Sequence, residues 1–138
     1  MIMRTLTYSI AVLLLALVLP LQGQYNPHKR TVAVTIASGA SLSGAAAIGD
    51  SSVIGVLMPA AWTAASLTFQ VSVDGTNYYN LYDDAGSEVT AQASTSRCVL
   101  LEPKQFIGFR YLKIRSGTAA SAVNQGGDRI ITLVVRIL

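Results

Sequence analysis

From Ser66 to Val73 the chain alternates without a break, with Leu67, Phe69, Val71 and Val73 on one side and Ser66, Thr68, Gln70 and Ser72 on the other. A two-residue repeat of this kind belongs to a β-strand with one face in the core and the other in water. Asp74-Gly75 follows at once. That dipeptide tolerates the positive φ angles of a tight hairpin turn, and the run Tyr78, Tyr79, Tyr82 supplies a returning strand. The window from Trp62 to Asp83 therefore reads as a β-hairpin, and the rest of the chain must pack around it.

The flanking segments carry the same signature. Thr31 to Ile36 places Val32, Val34 and Ile36 on one face. Ser52 to Met58 is continuously apolar and stops at Pro59, the pattern of a strand buried on both faces. Arg97 to Leu101 is a further strand, in which Cys98 is expected to act as a small buried hydrophobe. In Phe109 to Ser116, Leu112 and Ile114 point to the core. Ile130 to Leu138 is apolar apart from Arg136 and is expected to be paired centrally, because an open apolar edge aggregates.

Three segments are less regular. Ser41 to Ala47 reads as a loop or weak strand, Ser87 to Ser96 as an edge strand or long loop, and Ala60 to Ala65 as a turn or single helical turn. Turn residues at Asp83 to Gly86, Ser116 to Thr118 and Asn124 to Asp128 separate the strands. No stretch shows good helical amphipathicity, and 138 residues leave room for a single core. The expected fold is all-β, a single antiparallel β-sandwich or jelly roll over residues 31–138. One cysteine excludes an internal disulfide, so the core alone must hold it.

The N-terminus has another character. Met1 to Arg4 is short and basic, Ile10 to Leu19 is unbroken apolar sequence, and Pro20 to Gly23 ends it. Residues 1–23 thus have the layout of a secretory signal peptide, with cleavage expected after Gly23. The apolar run is about half of the roughly 20 residues that a membrane span needs. The alternative is a retained segment that buries its apolar run against a partner. Residues 24–30 read as a polar linker.

Chemistry-bearing residues are few. Catalysis needs a nucleophile with a base, paired carboxylates or a metal cluster, whereas this chain has one His, one Cys and acids placed where turns want them. No catalytic residue, cofactor or metal is assigned. His28 lies between Pro27 and Lys29-Arg30 and reads as a solvated linker residue; Asp74, Asp83, Asp84 and Glu88 read as turn chemistry rather than a calcium site. The formal charge of +3 is spread over several segments, so no nucleic-acid face is expected. Two surfaces remain. Phe109, Tyr111, Lys113 and Arg115 alternate with the core residues of their strand and form an aromatic and basic outer face, the candidate partner-binding surface. Trp62, Tyr78, Tyr79 and Tyr82 are candidates for ligand stacking, against which stands Trp62 as a plug at one end of the core.

The combination of MPAAW (Met58 to Trp62), LTFQVSVDG (Leu67 to Gly75), the Tyr/Leu run after it, FRYLKIRSGT (Phe109 to Thr118) and Asn124-Gln125 resembles small bacteriophage virion proteins encoded among head and tail genes. It is also remotely similar to discoidin-type galactose-binding jelly rolls, which share a strand ending in S-x-DG and a later R-Y-hydrophobic-K/R-hydrophobic strand. The resemblance spans roughly Thr31 to Leu138. It implies a non-enzymatic virion component, a capsid decoration or minor head or tail protein that binds copies of itself and a capsid or tail protein. The alternative it implies is a secreted or periplasmic carbohydrate-binding module that meets surface glycans. A membrane would be met only in transit, if the leader is a signal peptide.

Overall fold

The computed structural model describes residues 28–138. The signal-like segment 1–23, with its apolar run Ile10 to Leu19, and residues 24–27 of the expected linker lie outside them. Within them the chain forms β1 (Lys29–Ile36), β2 (Ala46–Ala47), β3 (Ser51–Leu57), β4 (Leu67–Ser72), β5 (Tyr79–Asn80), β6 (Thr90–Ala91), β7 (Cys98–Leu100), a 3₁₀ turn (Pro103–Phe106), β8 (Tyr111–Ser116) and β9 (Arg129–Ile137).

The strands make two antiparallel sheets. One has the order β1-β9-β3-β7; the other has the order β2-β8-β4-β5, with β6 also on β4. β5 and β6 share one edge of β4, since Asn80 lies opposite Gln70 and Thr90 opposite Thr68. Between them the Leu81 N–H donates to the Phe69 carbonyl and the Val89 N–H to the Leu81 carbonyl, both at 2.9 Å. Residues 82–89 therefore leave the ladder and return to it without a change of register. Counted as one interrupted strand, β5 and β6 leave two four-stranded sheets in which every successive step except β4 to β5 crosses from one sheet to the other, as in a jelly roll.

Alternation explains the core. Leu67, Phe69 and Val71 of β4, Leu112 and Ile114 of β8, Ile131, Leu133 and Val135 of β9, Val53 and Val56 of β3, and Val34 and Ile36 of β1 all point between the sheets and are buried. Phe106, delivered by the 3₁₀ turn, meets Phe69 edge-on with ring centroids 5.1 Å apart. Such a pair adds about 1 kcal/mol beyond the area it buries. β9 is central, held by β1 on one side and β3 on the other. β1 starts two residues before the expected strand, so Lys29 and Arg30 belong to the ladder, opposite Arg136 and Val135.

Three expectations are corrected. Val73 is 60% exposed, because the strand stops at Ser72. There the Ser72 hydroxyl accepts from the Gly75 N–H at 2.9 Å, and the Asp74 carboxylate accepts from the N–H groups of Thr76 and Asn77 at 2.8 Å each. Local side-chain bonds of this kind compete with the sheet ladder. The connection to β5 is consequently the loop 73–78 and not a two-residue turn, although Gly75 keeps a φ of +76°. Cys98 is exposed, because β7 is a three-residue edge strand that turns only Val99 inward. The segment from Ala60 to Ala65 forms no helical turn, only irregular backbone.

Candidate functional site

β8 does what its alternation predicts, with Leu112 and Ile114 in the core and Tyr111, Lys113 and Arg115 on the other side. That outer side, however, is covered. The loop 73–78 folds over it, and Tyr111 lies so close to Gly75 that a Cβ there would come within 3.0 Å of its ring. The Lys113 ammonium sits 4.0 Å from the centroid of the Tyr78 ring, a cation–π contact. Phe109 precedes the strand and packs, half-buried, against the core.

Arg115 is 8% exposed and fully engaged. Its Nη1 donates to Glu88 Oε1 at 3.3 Å and its Nη2 to Asn80 Oδ1 at 2.7 Å. Asn80 Oδ1 also accepts from Gln70 Nε2 at 3.1 Å, and the Glu88 carboxylate from the Ala119 N–H at 2.9 Å. The excursion 82–89 delivers Glu88, and β5 delivers Asn80. A charge removed from water is tolerable only when paired and hydrogen-bonded in this way. Of the four residues nominated on this strand segment, none offers an unengaged charge.

The electrostatics of the covering loop follow from its hydrogen bonds. Backbone N–H groups of Asn77 and Thr76, then the side chains of Asn77 and Ser72, hold the Asp74 carboxyl well below the usual carboxylate range. Burial pushes the Tyr78 phenol up, with a smaller push from the charges of Tyr111 and Asp74. Three of the acids have separate tasks. Asp74 serves its loop, Asp83 Oδ1 accepts from the Ala85 and Ser87 N–H groups, and Glu88 holds Arg115. Among the described residues no three His, Cys, Asp or Glu side chains gather as a metal site.

The stacking candidates do not share a face. Trp62 is half-buried against the core, and its Nε1 donates to the Ala65 carbonyl at 3.0 Å. Tyr78 lies under Lys113, whereas Tyr79 and Tyr82 are exposed. Tyr82 borders a shallow cavity of about 410 Å³ with Leu81, Asp83, Asp84, Lys104 and Gln105.

One residue that sequence reasoning passed over joins distant parts of the chain. Gln125 is buried; its Nε2 donates to the Thr63 carbonyl at 3.0 Å and to the Ser116 hydroxyl at 2.7 Å, while its Oε1 accepts from the Thr63 N–H at 2.8 Å. This amide clasps the Trp62 segment onto the loop after β8. In the sequence it stood only as half of the Asn124-Gln125 pair in a Gly-rich turn, with nothing to mark its partners.

Among the described residues, no element covers the outer face of the other sheet. Strand pairing puts Ile130 beside Thr35; Ala33, Thr132, Leu57 and Cys98 in the next row; and Thr31, Val134, Gly55 and Leu100 in the third. None of these residues carries a charge. Leu100 is 84% exposed, Ile130 60% and Leu57 42%. Charge returns only at the row of Lys29 and Arg136. An uncharged face across four strands, rimmed by polar residues, is the form a protein-contact surface takes. Neither a family model, nor a curated protein, nor a solved structure matches the chain.

Proposed function

We propose that this chain is a non-enzymatic structural component of a bacteriophage particle, a capsid decoration or a minor head or tail protein, that works through protein–protein contacts. The observation that carries the contact reading is the uncharged outer face of the β1-β9-β3-β7 sheet, where Leu100, Ile130 and Leu57 stand in water. The resemblance of the MPAAW, LTFQVSVDG and FRYLKIRSGT segments to small virion proteins supplies the setting. Phe109, Tyr111, Lys113 and Arg115, proposed as a partner surface on their sequence alone, then act one step back by holding the covering loop in place. The carbohydrate-binding alternative keeps two exposed rings, Tyr79 and Tyr82, of its four.

The test is mass spectrometry of purified particles, in which the chain is expected at a fixed ratio to the major capsid or tail protein. Replacing both Leu57 and Leu100 by Glu is expected to lower incorporation while the isolated protein keeps its melting temperature. Absence of the wild-type chain from purified particles would overturn the reading.

A further inference from the structure

A sandwich has four sheet edges, and three of them here are blunted. β7 is three residues long, β2 is two, and the β5/β6 edge is broken by the excursion 82–89. The fourth edge is β1, eight residues without proline, glycine or a bulge. Long regular edges are templates for another strand, and short or interrupted ones are not.

The hydrogen-bond parity of β1 shows what it offers. The His28 carbonyl accepts from the Ile137 N–H at 2.8 Å, so residues of even number in β1 bond inward to β9. Odd-numbered residues therefore face off the edge, and the Thr35 carbonyl confirms the phase by accepting from Gly44 on that side at 3.3 Å. Among the described residues, the N–H and C=O groups of Lys29, Thr31 and Ala33 face outward with no strand to receive them. Their side chains add little hindrance, since Thr31 and Ala33 are small and uncharged.

We propose that this edge docks β1 of a second copy, the two strands running antiparallel about a two-fold axis centred on Thr31. The β1-β9-β3-β7 sheets of the two copies thereby join into one. This pairing deepens the assembly reading and rests on it for taking the partner from the particle's own copies. Charge selects both the direction and the register. A parallel arrangement sets Lys29 and Arg30 beside their counterparts. The antiparallel one places each Lys29 opposite a neutral Ala33 and sets the two Lys29 residues about 13 Å, and the two Arg30 residues about 7 Å, apart along the strands. The register stops after Ala33, because Gly44 already occupies the Thr35 carbonyl. Three facing pairs then exchange about six backbone hydrogen bonds. The two uncharged outer faces then meet along the Thr31 row, with a Lys29–Arg136 row on either side of the junction.

The full chain carrying Cys98→Ser and Thr31→Cys tests the pairing. Hydrogen-bonded antiparallel partners have Cα atoms about 5.5 Å apart, within the span of a disulfide. Mild oxidation is expected to convert most of the chain to a covalent dimer, whereas Thr35→Cys in the same background gives no covalent dimer. Equal cross-linking at the two positions, or none at Thr31, overturns the proposal. Thr31→Pro supplies a second measurement, because the N–H it removes faces off the edge and the β9 ladder is left whole. Sedimentation equilibrium is expected to give a dimer mass for the wild type and a monomer mass for this variant. A wild-type monomer overturns the pairing, including the case in which residues 1–27 occupy the edge. Particle incorporation reads the other proposal separately. A monomeric chain found in particles removes the dimer alone; a chain that cross-links at Thr31 but is missing from particles removes the virion reading alone.

Discussion

The two outer faces of the sandwich start from the same two-residue alternation and end as opposites. On the β8/β4 side the outward residues include Lys113 and Arg115, which should attract water and partners, yet loop 73–78 and the excursion 82–89 fold over them and use up their charges. On the β9/β3 side the outward residues are small or apolar, and no element among the described residues covers them. A strand's outward pattern therefore names the chemistry of a face, whereas neighbouring loops decide whether that face is available. Lys and Arg proved to be the anchors of a lid, and Leu100 and Ile130 the exposed contact.

The largest test of this contrast is to break the covered side. Arg115→Ala leaves Glu88 and Asn80 without their shared partner and is expected to destabilise the protein by about 3 kcal/mol, read from the urea midpoint. A loss below about 0.5 kcal/mol would mean that the ion pair behaves as an exposed one. Gln125→Ala, at the end of the sandwich between the two faces, strands the Thr63 N–H and carbonyl; a loss of about 2 kcal/mol is expected in the same assay.

The Asp74 loop gives a signature in pH. Its folded carboxyl lies below its ordinary value of 3.8, so the unfolded chain takes up the proton first as pH falls. The stabilisation is complete above that value and fades as pH drops toward the folded one. Asp74→Ala is therefore expected to lower the urea midpoint clearly at about pH 6 and less at about pH 2.5; an equal gap at both would detach the loop's hydrogen bonds from stability. The smallest thermodynamic effect belongs to the open side. Leu100→Glu is expected to change stability by less than about 0.5 kcal/mol while reducing particle incorporation. A folding defect of the size expected for Arg115→Ala would show that this face is covered after all.

Much of the architecture was legible because it rests on local period. The alternation in β1, β4 and β8 names Val34, Ile36, Leu67, Phe69, Val71, Leu112 and Ile114 as buried, although Thr68, Ser72 and Arg115 on the opposite side of β4 and β8 are buried as well. β3, expected to be covered on both faces, leaves Leu57 exposed. Misreadings arose where a short-range competitor or a long-range partner intervened. Val73 continues the alternation on paper, but the Ser72 and Asp74 side chains capture the backbone one residue earlier. Cys98 sits in an apolar run too short to show that it lies on an edge. The sealing of Arg115 depends on Asn80 and Glu88, 35 and 27 residues away along the chain. Nothing in the local pattern of FRYLKIRSGT announces either. Gln125 was invisible for the same reason, its partner Thr63 lying 62 residues off.

The excursion between β5 and β6 carries one more consequence. The ladder resumes in phase after it, and the Tyr82–Glu88 bridge closes its neck, so residues 83–87 form a detachable tip held by the Asp83 carboxylate. Each doubling of such a loop costs only about 0.6 kcal/mol. The tip is thus a socket in which chain length can vary, by evolution or by engineering, while Glu88 keeps its hold on Arg115. A peptide grafted between Tyr82 and Glu88 would be carried on the flank away from the uncharged sheet, leaving the contact surface free to assemble beneath a displayed cargo.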